Sequence, residues 1–226
     1  MAPRFIPRDP EVALADDRAA ALAMTPVSRE ILARLDRFIS LLLQWQKTIN
    51  LVAPASIPMV WTRHVADSLQ LLDAVPDAQR WIDLGSGGGF PGLVLACALA
   101  DRPGASVHLV ESSGKKAAFL REVARSLRLP VRIHAQRIEE FAAVHDEPAD
   151  VVTARALAPL VELLALASPL LKRGARGLFP KGQDVEAELT AASKCWTIDA
   201  KLLPSRTDPR SRLVLVRRAE RRAKTL

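Results

Sequence analysis

Residues 80–92 read Arg80-Trp81-Ile82-Asp83-Leu84-Gly85-Ser86-Gly87-Gly88-Gly89-Phe90-Pro91-Gly92 and decide the fold. An apolar run carries an acid, Asp83, near its end, and four of the next six residues are glycine. Glycine lets a backbone turn sharply and come close to a ligand. An apolar helical run follows at 93–100. The stretch is a cofactor loop of the nucleotide-binding kind at a strand-to-helix junction, with the cofactor still open.

Working outward, apolar runs predict strands at 80–84, 106–110, 131–134, 150–154, 176–180, 195–202 and 212–217. Helical patterns fall at 93–100, 115–127, 160–171 and 184–193. This alternation predicts an α/β fold with a mostly parallel sheet covered on both faces. Only residues 204–211 separate the last two strands, so these are expected to form a terminal antiparallel pair. Upstream, Thr25-Pro26 reads as an N-cap followed by proline at the first helical position. Ile31, Leu32, Leu35, Phe38, Ile39, Leu42 and Leu43 follow at helical spacing, and this helix is expected to end near Ile49-Asn50. A second helix is expected at 57–72, closed by Pro76. The expected organisation is a loose extension at 1–24, a helical cap at 25–76, the main domain at 77–218 and a basic tail at 219–226.

Composition narrows the function. The chain has 226 residues, 16 prolines and no tyrosine, with aromatics at 4%, which disfavours stacking on several nucleobases. Cys97 and Cys195 are far apart, form no metal-ligand spacing and read as buried small side chains. His64, His108, His134 and His145 are scattered, and no metal is expected. Residues 1–24 do not read as a secretory leader, and no apolar run approaches the ~20 residues of a membrane helix. A cytoplasmic protein is expected. The net charge is +7, and residues 201–226 carry nine basic side chains against Asp208 and Glu220, the whole formal excess. Such a segment suits phosphate backbones, or else is a solvated tail.

Two registers compete for the glycine loop. Gly87-Gly88-Gly89-Phe90-Pro91-Gly92 matches the dinucleotide fingerprint, but a lone match is weak, and Pro91 sits where that helix should already run. In the other register, Asp83-x-Gly85-x-Gly87-x-Gly89, an acid precedes the first glycine by two residues. It resembles the first motif of class I S-adenosylmethionine-dependent methyltransferases, where such an acid can meet the cationic methionyl part. Glu111 ends the next strand at roughly the spacing at which an acid meets a ribose diol; its plainer role is that of a capping or solvated acid. Residues 137–141 read as a turn that could frame an adenine.

Taken in order, the motifs are Ile49-Asn50-Leu51, Arg63-His64 with Asp67-Ser68, Asp83 through Gly92, Glu111-Ser-Ser-Gly-Lys-Lys116, Arg137-Ile-Glu-Glu-Phe141, Thr153-Ala-Arg-Ala156 and Pro180-Lys-Gly182. Over about residues 27–217 the chain resembles the bacterial 16S ribosomal RNA guanine-N7 methyltransferases, also called the glucose-inhibited division protein B family. The resemblance implies a Rossmann-like, seven-stranded, mostly parallel sheet with an N-terminal helical extension. It also implies S-adenosylmethionine as cofactor and 16S ribosomal RNA, or a small-subunit precursor, as partner of a monomer. Gly85, Phe90, Glu111, Ile138, Glu139 and Arg155 are implied cofactor contacts, joined by Asp83, Gly87 and Ser113 of the same motifs. Arg63, His64 and Lys181 are implied to face the RNA, with Arg155, Lys181 and His64 as catalytic candidates. The chain departs from the family at Ile49, where tyrosine is frequent, and at Ala154, where a serine is frequent.

Guanine N7 carries a lone pair and no proton, so its methylation needs alignment and exclusion of water, not a general base. A small-molecule methyltransferase and a non-catalytic RNA-binding protein remain the alternatives, with a dehydrogenase as an outsider. Deletion of 219–226 is expected to weaken RNA binding.

Overall fold

A computed structural model describes residues 10–222. Its centre is a sheet of β1 (Arg80–Leu84), β2 (Ser106–Val110), β3 (Val131–His134), β4 (Val151–Thr153), β5 (Arg176–Lys181), β6 (Trp196–Pro204) and β7 (Arg212–Arg221), in the order β3-β2-β1-β4-β5-β7-β6. β1 to β5 are parallel, and β7 pairs antiparallel with both β5 and β6. The expected terminal antiparallel pair is therefore present, with β7 inserted between β5 and β6.

Side-chain alternation divides the core in two, because successive strand residues face opposite sides. Trp81, Val107, Leu109 and Leu178 pack beneath the N-terminal helices and α4 (Gly92–Leu99) and α5 (Gly114–Ser126). Ile82, Leu84, Val110, Val152 and Phe179 pack on the other face, against α6 (Ile138–Val144), α7 (Leu160–Lys172) and α8 (Val185–Ser193). No described helix is long and apolar enough to cross a membrane.

The N-terminal region differs from the sequence reading. Residues 10–24 are not loose: they form α1 (Pro10–Met24). The prolines that suggested a loop precede this helix or occupy its first position, where proline is tolerated, and its six alanines are strong helix formers. Arg18 holds Asp36 of α2 (Arg29–Gln46) at 2.7 and 2.8 Å. Thr25 does not cap α2. Its hydroxyl donates to Ala21 O at 3.0 Å and closes α1, while Ser28 is the N-cap. Helix α2 stops at Gln46, whose side-chain oxygen accepts from Leu51 N and Val52 N at 2.9 and 3.1 Å. The expected helix at 57–72 is three pieces: a 3₁₀ segment (Pro54–Met59), a π turn (Trp61–Ala66) and α3 (Asp67–Ala74). Pro58 cannot donate to an α ladder, and Asp17 takes Trp61 N at 2.8 Å.

Three further corrections concern the remaining sequence reading. Residues 138–144 are helix, not turn. Cys195 is exposed, while Cys97 is buried. Parallel pairing of β2 with β3 also gathers three of the "scattered" histidines: His108 Nδ1 and His134 Nε2 are 3.1 Å apart, and His145 stands edge-on to His108 with ring centroids 4.9 Å apart. Among the described residues, no His, Cys, Asp and Glu group has the geometry to hold a metal. Residues 219–221 belong to β7, and 223–226 lie outside the described residues.

Candidate active site

All the site motifs converge at the C-terminal ends of the parallel strands, where open α/β sheets bind ligands. The loop after β1 is anchored by Gly85 N and Ser86 N, which donate to Val110 O at 2.9 and 3.0 Å. Gly85 has φ +70°, and a Cβ there would stand 2.7 Å from Leu157 Cδ1. Gly87, at φ +54°, donates its N–H to Glu111 Oε2 at 2.9 Å. Ser113 N donates to the other carboxylate oxygen at 2.7 Å, so two backbone donors fix Glu111 at the mouth of a cleft.

That cleft has a volume of about 660 Å³, with Gly85, Gly87, Glu111, Ile138, Glu139 and Arg155 among its lining residues. Its size is within the ~300–1,000 Å³ usual for small-ligand sites. The donor set suits S-adenosylmethionine: an oriented carboxylate for a diol, Ile138 and Leu157 for an apolar ring, and close backbone approach at the glycines. Lys116 and Arg137 also line this cleft.

Three implied cofactor residues lie elsewhere. Asp83 is fully buried under the loop. Its Oδ2 accepts from Gly92 N at 3.1 Å, capping α4 in place of the N-cap Pro91, which has no side-chain donor or acceptor. Its Oδ1 has no partner. Burial pushes its pKa up to about 7, against the opposing hydrogen bonds and Arg155. Phe90 is buried behind the site instead of forming its wall, stacked on His64 at 4.9 Å and 27°. Ser113 contributes its backbone N–H, as the N-cap of α5, and Ser112 lines the cleft.

His64 is not an RNA-facing cation. An Arg155 Nη2 donor contacts its Nδ1, so that nitrogen accepts. Nε2 therefore carries the proton and donates to Ser56 Oγ at 2.9 Å, and Ser56 in turn donates to Ala53 O at 2.7 Å. Burial, helped by Arg155 and Arg63, pushes the His64 pKa down to about 3. The neutral ring is thus a bracket for Arg155. The Arg155 guanidinium also donates to Arg63 O at 3.1 Å, lies 3.7 Å from Asp67 Oδ2 and sits 5.5 Å over the Phe90 ring. Asp67, which carries no role in the sequence motifs, is a hub: its Oδ1 accepts from Gln70 Nε2 and Thr207 Oγ1, both at 2.8 Å. Burial raises its pKa, opposed by Arg155 and these donors.

A second cleft, of about 920 Å³, adjoins the first and shares residues 155–158 as a wall. Arg63, Lys181, Arg210 and Arg212 line it. Lys181 is committed inward, to Ala158 O at 2.7 Å and Glu188 Oε2 at 2.8 Å. Arg212 donates only to the carbonyls of Pro209 and Ser211, and among the described residues Arg63 has no ion-pair partner. Arg63, His64 and Lys181 are thus brought together with Arg155, as the sequence implied. Glu188 and Thr207 stand outside every motif, and no sequence signal marked them.

The sheet order, the loop after β1 and the acid after β2 define a class I, Rossmann-like methyltransferase. The chain belongs to the rRNA small subunit methyltransferase G family, whose model matches residues 31–211. It is 59% identical to the ribosomal RNA small subunit methyltransferase G of Bradyrhizobium sp. (strain BTAi1) over 92% of this chain and 94% of that protein. The protein of the same name from Bradyrhizobium sp. (strain ORS 278) is 58% identical over 93% and 95%. Among solved structures, the O-methyltransferase from Bacillus cereus in complex with SAH superposes with a TM-score of 0.58 at 16% identity, over 93% of this chain and all of that one. The resemblance read from the motifs is therefore correct as to family and fold.

Proposed function

We propose that the protein transfers a methyl group from S-adenosylmethionine to N7 of a guanine in the decoding-region loop of 16S ribosomal RNA, acting as a monomer in the cytoplasm. One observation carries this reading: an acid-mouthed cleft and a basic cleft meet at a common wall, residues 155–158. A donor held in the first and a base held in the second would face each other across Arg155.

When bound, S-adenosylmethionine supplies an electrophilic sulfonium methyl. Glu111, Gly85, Gly87, Ile138 and Glu139 would hold it. Arg155 is fixed by Asp67 and His64, so its donors are oriented before substrate arrives, which lowers the cost of alignment. No residue need remove a proton, because N7 has none. This agrees with a site whose His64 is an acceptor for Arg155 and whose Lys181 is paired with Glu188. Arg63 and Arg212, uncommitted to carboxylates, are placed to grip phosphates.

The basic segment divides in this geometry. Arg212 pairs with Lys181 at the cleft end of β7, whereas Arg221 pairs with Trp196 at the other. Nine residues at about 3.3 Å each separate them by roughly 30 Å. Arg210 and Arg212 are therefore the residues of this segment placed at the cleft, and Arg221 lies at the far end of β7; residues 223–226 lie outside the described residues. The test is transfer of labelled methyl to small-subunit ribosomal RNA and to small-subunit particles, followed by mapping of the modified base. Transfer to N7 of one guanine supports the reading; transfer only to small molecules, or none, overturns it.

A further inference from the structure

We propose that Glu188 is a positioning residue for methyl transfer: it caps α7 from outside and pins Lys181, and so fixes the wall between the two clefts. The inference rests on the functional reading above. Helix α7 begins after Pro159, which provides no side-chain cap. Helix starts leave N–H groups without intrahelical partners, and a carboxylate there is favoured by the helix dipole. Here the carboxylate comes from the first turn of a different helix, α8: Glu188 Oε2 accepts from Leu160 N at 2.6 Å.

The same oxygen lies 2.8 Å from Lys181 Nζ, which donates to Ala158 O at 2.7 Å. One oxygen thus ties both ends of the segment 158–160, directly and through Lys181. That segment continues the wall residues 155–158, which include Arg155, the positive-φ Ala156 at φ 50° and Leu157 against Gly85. The Lys181 side chain is only 9% exposed, so its charge is used inside the protein. Lys181 therefore acts on the reaction through the wall it holds, and Glu188 is the group that keeps it there.

The test is single-turnover methyl transfer to small-subunit particles, with cofactor affinity by calorimetry, for wild type, Glu188→Gln, Glu188→Ala, Lys181→Ala and Lys181→Ala/Glu188→Gln. Glutamine keeps an acceptor for Leu160 N and removes only the anion facing Lys181, so it tests the inference even if the alanine variant does not fold. Displacing a positioned group by an ångström costs on the order of 100-fold in rate, so Glu188→Gln is expected to lose about tenfold and Glu188→Ala up to about 100-fold. Cofactor affinity is expected to fall by a smaller factor than the transfer rate, because Glu188 itself lines only the second cleft and reaches the first through the shared wall. In the Lys181→Ala background, Glu188→Gln is expected to add less than about twofold, since the two residues act as a unit. A merely stabilising glutamate would instead slow both backgrounds equally. An active wild type with Glu188→Gln at the wild-type rate, or with independent effects in the cycle, overturns the inference alone. A wild type that transfers no methyl overturns the functional reading and the inference with it.

Discussion

Asp83→Asn is expected to make the protein more stable and to weaken its cofactor binding. Asp83 is fully buried, its Oδ1 lacks a partner, and burial raises its pKa from 3.8 to about 7. The unfolded chain releases this proton near pH 4 and the folded chain only near pH 7. The stabilising contribution is therefore complete below about pH 4 and is lost as pH rises through 7. A shift of about three units at ~1.36 kcal/mol each sets an upper limit of about 4 kcal/mol. Asparagine never ionises and keeps an acceptor for Gly92 N. The unfolding free energy of the variant relative to wild type should therefore improve by as much as about 4 kcal/mol between pH 4 and pH 8, measured by urea denaturation across that range. His64 and His108, with pKa values pushed down to about 3 and about 4, act in the opposite direction: stability is lost as pH falls below the ordinary histidine value. Both proteins carry them, so they cancel in the difference. In the proposed complex the cationic methionyl part of S-adenosylmethionine would favour the ionised form of Asp83. Calorimetry should accordingly show S-adenosylmethionine binding wild type more tightly as pH rises through 7, and binding the variant more weakly at pH 8. A stability difference that is flat in pH, or a variant that binds the cofactor as well as wild type, would refute the reasoning.

Other substitutions test the remaining parts of the site. Gly85→Val places a β-branched side chain at φ +70° with Cβ 2.7 Å from Leu157 Cδ1. It should cost at least ~1–2 kcal/mol of stability and abolish cofactor binding, so a folded variant that still titrates in calorimetry contradicts the loop's role. Arg63→Ala and Arg212→Ala should each lower the salt slope of RNA binding by about 0.7–0.9, the loss of one phosphate contact, while Arg218→Ala leaves it unchanged. Filter binding over a salt series checks this, and the reverse order would move the RNA to the far end of β7. With saturating cofactor, single-turnover transfer should vary less than about threefold from pH 6.5 to 8.5, because no proton moves in the step. A bell-shaped profile would mean a general acid or base has been overlooked.

The sheet was legible because its strands are short apolar runs between turn residues, such as 106–110 and 151–153, and all seven were placed within a few residues of their ends. Helix α1 is hard to read from sequence because three prolines stand at or before its start, and the partner that stabilises it, Asp36, is 18 residues away from Arg18. The break in the second cap helix was hidden for a similar reason: Asp17, which takes Trp61 N, is 44 residues upstream. The positions of the site residues were more legible than their partners. Arg155, Glu111 and Lys181 do converge, but a sequence shows a charge and not what neutralises it. The sequence names His64 and Lys181 but does not show that Arg155 occupies the Nδ1 of one or that Glu188 stands beside the other. The histidine group on β2 and β3 was invisible for the same reason, since only strand pairing brings residues 108 and 134 together.

Helices α4 and α7 share one device. Both α4 and α7 start after a proline, Pro91 and Pro159, which supplies no side-chain acceptor to the exposed N–H groups. Each receives a carboxylate from elsewhere instead, Asp83 on β1 and Glu188 on α8. A local serine or aspartate cap would end each turn at its own backbone. A remote cap instead ties the helix start to another element, and here it ties α4 to β1 and α7 to α8. The same carboxylates also act on the site's charges, Glu188 on Lys181 by an ion pair and Asp83 on Arg155 by charge attraction. Asp67 does likewise for Arg155. Glu188 and Asp67 are each committed to several donors of the protein itself and so are poorly placed to exchange protons with a substrate. Such a framework suits a transfer in which the nucleophile already has its lone pair and the protein's task is to keep two ligands in line.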